Sequence, residues 1–168
     1  MRNWAKITVL VALAFICHGC GIYSFSGASI PAEAKTVSVD YFPNHAQLVN
    51  PLLSDNLTTA LRDAMNSQTT LYLVETGGDL AFEGEIVDYN TMPMAITSGQ
   101  TAAMNRLTIK VKVRFTNRID ETKDFEQVFS RYEDYPSDQE LNSVQESLTA
   151  TIVDQLVEDI FNKALVNW

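Results

Sequence analysis

The clearest pattern in the chain is an alternation of polar and apolar residues in the segment 106–118, RLTIKVKVRFTNR. A period of two is typical of a β-strand with one face on a core and the other in solvent. The apolar positions are Leu107, Ile109, Val111, Val113 and Phe115. The polar positions between them are Arg106, Thr108, Lys110, Lys112, Arg114 and Thr116. We therefore expect a central strand with a basic outer face.

Four more segments are predicted as strands by alternation or by a short apolar run. They are TVSVDYF (36–42), LYLVE (71–75), LAFEGEIVDYN (80–90) and DFEQVFSRYEDY (124–135). The turn sequence RIDETK joins the basic strand to the last of these, so the two should pair antiparallel. The best register sets Phe115 opposite Phe125, Val111 opposite Phe129 and Arg114 opposite Glu126. It matches apolar with apolar residues and charge with opposite charge.

Two segments have helical periodicity instead. Apolar residues recur at intervals of three and four from Leu52 to about Ser67, and Asn50-Pro51 should cap and begin that helix. A longer stripe runs from Val144 to Leu165, with a capping-box pattern at Ser143–Glu146 and a second candidate at Ser137–Glu140.

The order strand, helix, antiparallel strands, helix predicts an α+β fold. We expect two helices packed on one face of a mostly antiparallel sheet of four to five strands, forming a single domain over residues 35–168. The connection after the first helix allows one parallel pairing, and the strand order stays open. The stretch MPMAITSGQTAA (92–103) is expected to be a loop.

The amino terminus has the organisation of a signal peptide. Arg2 and Lys6 precede an apolar run, Ile7–Ile16, which is too short to span a bilayer as a helix. Residues 1–19 are therefore expected to be removed as a lipoprotein signal peptide. Residues 20–34 are then expected to form a lipidated tether.

Three interpretations of the cysteines Cys17 and Cys20 compete. A dithiol or metal site would need further ligands, and the chain has no other cysteine. Ordinary secretion would leave Cys20 as a lone thiol in an oxidising compartment. Acylation of Cys20 explains that thiol and supplies a stable membrane anchor. We therefore expect lipidation of Cys20, with Gly19 before it and Gly21 after it.

The charge balance excludes one class of partner. Cleavage after Gly19 would remove Arg2 and Lys6, leaving 149 residues with 10 basic and 21 acidic side chains, a net charge of −11. A chain so acidic would repel nucleic-acid phosphates, so we expect no nucleic-acid partner.

Catalytic patterns are weak. His45 is the only histidine after residue 20, and no serine is predicted on a strained elbow near it. Neither a glycine-rich phosphate loop nor a metal-ligand spacing is present. We expect a protein that is not an enzyme and that needs no metal or cofactor.

The basic strand face has two interpretations. Arg106, Lys110, Lys112 and Arg114 could form a charge ladder across the sheet, with Glu83, Glu85 and Glu126 as cross-strand partners. They could also bind the phosphates of an anionic ligand.

Sequence blocks along nearly all of residues 20–168 resemble one family. They are GIYSFSGASI, NPLLSDNLTTALRD, DLAFEGEIVDYN, TAAMNRLTIKVKVRFTN, DFEQVFSRYEDY and VDQLVEDIFNKALVNW. Together they are similar to the LptE family of lipopolysaccharide-assembly outer-membrane lipoproteins of Gram-negative bacteria.

The resemblance implies two helices against a small sheet and a non-catalytic role in cell-envelope biogenesis. It implies a lipid-anchored protein at the periplasmic side of the outer membrane, inside the lumen of the β-barrel LptD. Such a protein would plug the barrel, help it assemble and assist lipopolysaccharide transport. Arg106, Lys110, Lys112 and Arg114 are then candidates for binding lipopolysaccharide. The alternatives are a periplasmic ligand-binding lipoprotein and an auxiliary lipoprotein of another envelope transport system.

Overall fold

The computed structural model describes residues 30–48, 50–94 and 103–166. It contains β1 (Thr36–Val39), α1 (Leu53–Gln68), β2 (Tyr72–Val74), β3 (Leu80–Met94), β4 (Met104–Asn117), a 3₁₀ turn (Glu121–Lys123), β5 (Phe125–Pro136) and α2 (Leu141–Leu165). The predicted signal peptide and Cys20 lie outside the described residues. Among the described helices, none is long and apolar enough to cross a membrane.

The five strands form one sheet in the order β2-β1-β3-β4-β5. The β3–β4 and β4–β5 pairs are antiparallel, whereas β1 pairs in parallel with both β2 and β3. The α+β prediction is confirmed, with two parallel pairings where one was expected. A parallel pair needs a crossover connection, which α1 provides between β1 and β2.

Strand β4 lies inside the sheet and pairs with a neighbour on each side along almost its whole length. Its five alternating apolar residues, from Leu107 to Phe115, are fully buried. The predicted register with β5 is confirmed in all three pairs: Phe115 with Phe125, Val111 with Phe129 and Arg114 with Glu126.

A β-bulge at Val87 changes which face the second half of β3 presents. Ile86 pairs with Val111, but Asp88 rather than Val87 pairs with Lys110. The extra residue moves Tyr89 onto the buried face, where it is 1% exposed. Without it, alternation from Ile86 would have turned Asp88 toward the core.

The core lies between the sheet and the two helices. The buried helix residues follow the predicted stripes, with Leu57 and Leu61 of α1 and Leu156 and Ile160 of α2 fully buried. Rings of Phe82, Phe115 and Phe125 continue the contact across β3, β4 and β5, with adjacent centroids 4.9 and 5.4 Å apart.

Both predicted helix starts are wrong in detail. Helix α1 begins at Leu53, and Asn50 precedes it in a turn in which the side-chain Oδ1 accepts from the Leu52 amide at 3.2 Å. Helix α2 begins at Leu141, so neither capping-box pattern starts it. Ser143 lies in the first turn, where its hydroxyl donates to the carbonyl of Glu140 at 2.7 Å. Short polar side chains bond to nearby backbone in several ways, so spacing alone did not place the ends.

Strand β3 is longer than expected. It continues through Met92, Pro93 and Met94, which were predicted to begin a loop. Beyond Ile86 the chain segment before α1 no longer pairs with β3. Pro93, which lacks an amide hydrogen, is tolerated because no described residue pairs with this side of β3 there.

We predict that Gly84→Ala destabilises the fold. A Cβ at this position would lie 2.5 Å from Cε1 of Phe42 and closer still to the carbonyl oxygen of Lys112. Neither neighbour can move freely, since Phe42 is fully buried and Lys112 is paired in the sheet. Urea denaturation should show a loss of about 1–3 kcal/mol in unfolding free energy. The exposed Val87→Ala is the control, and an equal loss in both variants would contradict the close-packing explanation.

Candidate functional site

The outer face of the sheet, opposite the helices, brings the four predicted basic residues together. Arg106, Lys110, Lys112 and Arg114 are spaced along one side of β4 because the strand alternates. Each forms an ion pair with a neighbouring strand. Arg114 is exposed and the other three are half-buried, so the pairs are accessible to a ligand.

Arg106 forms the most specific of these pairs. Its Nε and Nη2 donate to the two carboxylate oxygens of Asp134 on β5, at 2.7 and 2.9 Å. Its guanidinium also lies 3.5 Å from the ring centroid of Tyr132. The hydrogen bonds from Arg106 lower the pKa of Asp134. A bidentate pair stacked on an aromatic ring holds Arg106 in one orientation.

Lys110 bonds in the opposite direction, to β3. Its Nζ lies 3.1 Å from Oδ2 of Asp88. This pair depends on the bulge at Val87, which sets Asp88 on the outer face directly opposite Lys110. Asp88 also accepts a hydrogen bond from Asn90, whose side-chain amide donates to the same Oδ2 at 2.7 Å.

Lys112 and Arg114 share a single carboxylate. Lys112 Nζ lies 2.7 Å from Oε1 of Glu126, and Arg114 Nη2 lies 2.9 Å from Oε2. Hydrogen bonds from Lys112 and then Arg114 lower the pKa of Glu126. Two cations therefore share one carboxylate within ion-pair distance. Arg106 and Lys110, by contrast, each face one carboxylate.

A shallow groove of about 320 Å³ lies beside this shared pair. The aromatic ring of Tyr41, exposed beyond the end of β1, forms one wall. The other charged residues along the groove are Asp40, Glu83 and Glu85. The groove therefore has two cations among four carboxylates, a mixed rather than a purely basic lining.

The predicted cross-strand partners are partly correct. Glu83 lies opposite Arg114 and Glu85 opposite Lys112 in the β3–β4 register. The closest contacts of both cations nevertheless go to Glu126, as predicted, on the other side. Glu85 instead approaches Nδ1 of His45 at 2.7 Å. Asp88 and Asp134 are partners that the sequence prediction missed.

No catalytic arrangement accompanies these charges in the described ranges. His45 and Glu85 form a surface pair, and the His45 side chain is 63% exposed. Across residues 30–48, 50–94 and 103–166, no group of His, Cys, Asp and Glu could hold a metal ion. The contacts observed on this face are ion pairs between neighbouring strands.

A family model matches the chain across residues 34–164. Its description is LptE, lipopolysaccharide-assembly. The match therefore covers most of the chain, including every strand and nearly all of both helices. No curated protein matches the sequence.

Several solved structures have a similar fold. A minor lipoprotein from Acinetobacter baumannii is 15% identical, with a TM-score of 0.50, over 77% of this chain and 91% of that one. The hypothetical protein CT253 from Chlamydia trachomatis is 10% identical, with a TM-score of 0.50, over 78% and 98%. A putative neuraminyllactose-binding hemagglutinin homologue from Helicobacter pylori is 6% identical, with a TM-score of 0.52, over 84% and 88%. At these identities the likeness concerns the fold alone.

We predict that Glu126 stabilises the fold in a pH-dependent way. Its pKa lies below the usual 4.5 in the folded chain and near that value once unfolded. Its contribution is therefore complete above about pH 4.5 and is lost as the pH falls through the lower folded value. The stability difference between wild type and Glu126→Gln should shrink between neutral pH and pH 3 in urea titrations. Glu121→Gln, in the exposed turn before β5, is the control. A difference that stays constant with pH would contradict the role of the shared carboxylate.

Proposed function

Since the chain belongs to the LptE lipopolysaccharide-assembly family, we propose that it occupies the lumen of the outer-membrane β-barrel LptD, helps that barrel assemble and assists lipopolysaccharide transport. The family consists of outer-membrane lipoproteins without enzymatic activity. The observation that carries the proposal is the family match over residues 34–164.

The surface of the domain is consistent with a plug. Cross-strand ion pairs cover the outer face of the sheet. The solvent side of the helices is acidic, with Asp55, Asp63, Asp154 and Glu158 exposed along it. The lumen of a wide outer-membrane barrel is polar, so a charged domain can be accommodated there without burying unpaired charges against lipid.

A lipid anchor would keep the domain at the membrane. We propose that Cys20 is acylated after removal of residues 1–19, and that the segment from residue 20 to β1 is the tether. The support is the sequence pattern of positive start, apolar run and cysteine. Several acyl chains on one cysteine would hold the domain stably in the membrane leaflet that faces the periplasm.

For lipopolysaccharide, we propose Lys112 and Arg114 as the principal phosphate-binding residues, with Arg106 and Lys110 in supporting positions. Lys112 and Arg114 share Glu126, so a phosphate can accept from their remaining N–H donors while Glu126 stays paired. The adjacent groove and the Tyr41 ring offer space and a flat surface for a sugar beside that phosphate.

We predict that the chain, gently extracted from outer membranes through a carboxy-terminal tag, is isolated with LptD in near-equal amounts. The reason is that a plug enclosed by a barrel dissociates slowly. Cys20→Ala is the matched control, because it should leave the membrane fraction and recover much less barrel. Isolation of the wild-type chain alone, or with an inner-membrane transporter, would contradict the barrel proposal.

We predict that Lys112→Gln combined with Arg114→Gln weakens binding of lipid A about tenfold or more, because charge-assisted contacts to phosphate are lost. Calorimetry with phosphorylated and dephosphorylated lipid A would measure the effect. The wild-type preference for the phosphorylated form should disappear in the variant.

The control for this pair is Arg131→Gln. Arg131 is also exposed and ion-paired, with Asp159 at 2.6 Å, but it lies on the helix side of the sheet. It removes a comparable ion pair and should leave lipid A binding unchanged. If all variants melt at lower temperature and bind lipid A equally well, the cations of β4 form a structural charge ladder only.

A further inference from the structure

Strand β5 is one edge of the sheet, and no strand lies beyond it among the described residues. It is twelve residues long, whereas the opposite edge, β2, has three. Long unpaired edges are uncommon, because their free backbone groups can pair with another chain.

Hydrogen bonds elsewhere in the sheet indicate which backbone groups of β5 are free. The amide of Ile86 donates to the carbonyl of Pro43, and the carbonyl of Phe82 accepts from the amide of Asp40, both at 2.9 Å. These even-numbered residues of β3 therefore direct their backbone groups away from β4. In an antiparallel ladder, their partners on β4, Phe115 and Val111, then direct theirs toward β5.

The same alternation continues across the β4–β5 ladder. Phe115 and Val111 pair with Phe125 and Phe129, so odd-numbered residues of β5 bond to β4. Just after the strand, the amide of Ser137 donates to the carbonyl of Ala103, so this odd-numbered residue also bonds to the chain that leads into β4. Five even-numbered residues therefore present amide and carbonyl groups to the free edge: Glu126, Val128, Ser130, Tyr132 and Asp134.

The outer side of this edge has no charged residue at its centre. Val128 and Tyr132 are 50% and 49% exposed, and Ser130 lies between them. Among the residues whose backbone faces the free edge, charges occur only at the ends, on Glu126 and Asp134, whereas Arg131 and Glu133 point to the helix side and contact Asp159 and Gln155 of α2. Proteins commonly protect an edge with a central lysine, a proline or a bulge, and the β4–β5 pairing is continuous, with Pro136 only at its last position.

A groove of about 500 Å³ runs beside the edge, between β5 and α2. Its strand side includes Gln127, Phe129 and Arg131, and its helix side includes Asp159 and Asn162. Arg131 bridges the two sides, donating from Nε and Nη2 to both carboxylate oxygens of Asp159 at 2.6 Å. A free edge beside a helix is the geometry in which domains bind an extended peptide by strand addition.

We propose that the β5 edge and this groove bind an extended segment of a partner polypeptide as a sixth strand. Backbone hydrogen bonds to the five free positions would provide the binding, and side chains of the partner would alternate between the groove and the outer face. The inference stands apart from the barrel and lipopolysaccharide proposals, since it rests only on the ladder and the groove.

Charge determines which strand fits. A second copy of this chain, paired antiparallel about Ser130, would set Glu126 opposite Asp134 at both ends. Two chains, each of net charge −9, would also have to approach each other. Like charges directly opposite destabilise a strand pair. The partner is therefore a different polypeptide, uncharged in its centre and basic rather than acidic at its ends.

A synthetic peptide of alternating threonine and valine with a lysine at each end tests the proposal on the full chain in mild detergent. Some peptides carry N-methyl groups at the residues whose backbone amides would bond to β5. Their affinity should fall about tenfold or more, because each lost backbone hydrogen bond weakens binding by about that factor. Methylation at the intervening residues should have little effect. Equal sensitivity in both sets, or no saturable binding, would overturn strand addition.

Ser130→Pro provides the reciprocal test. It removes one outward amide while keeping every ladder bond, and Ser130→Ala is its matched control. The proline variant should lose peptide binding about tenfold and the alanine variant should retain it. Equal binding by both would overturn the proposal.

Analytical sedimentation tests whether a second copy of this chain, rather than a different polypeptide, occupies the β5 edge. If the chain dimerises and Ser130→Pro abolishes the dimer, a second copy occupies the edge and the proposed partner is wrong. A monomer that binds the lysine-ended peptide more tightly than a glutamate-ended one supports the assignment.

Discussion

The structure depends on the strict alternation of side chains along β4. This strand lies in the middle of the antiparallel part of the sheet. Its five apolar residues are buried in the core that the helices form with β3, β4 and β5. A slip of one residue would bury Arg and Lys side chains and expose every one of those apolar residues. That penalty is large enough to fix the pairing with β3 and β5, and with it the position of each charge on the outer face.

The outer face shows how an acidic protein can keep four cations close together on one strand. Each cation has a carboxylate within 3.1 Å, and the carboxylates come from both neighbouring strands. Exposed pairs of this kind contribute little stability each, about 0.2–1 kcal/mol. Lys112 and Arg114 share Glu126, which leaves N–H donors of both cations available at one end of the strand, and a functional interpretation of this surface depends on those donors.

The sequence was sufficient to predict the elements, the class of fold and the β4–β5 register, because all three follow from alternation. Extending that register by eight residues would also have paired Arg106 with Asp134. The Lys110–Asp88 pair could not be predicted, since it requires the bulge at Val87, and a single inserted residue leaves no clear mark in a hydrophobic pattern. Helix starts failed for another reason: Asn50 and Ser143 bond to local backbone without beginning a helix.

The two edge strands of the sheet differ in length and in the backbone they expose. On one side β2 has only three residues, and a strand so short offers little backbone to a second chain. On the other side β5 continues for twelve, with Val128, Ser130 and Tyr132 uncharged on its outer face and α2 across a groove from it. Because the same chain limits one edge and leaves the other open, the open edge is better explained as a site for a partner strand than as a defect of the fold.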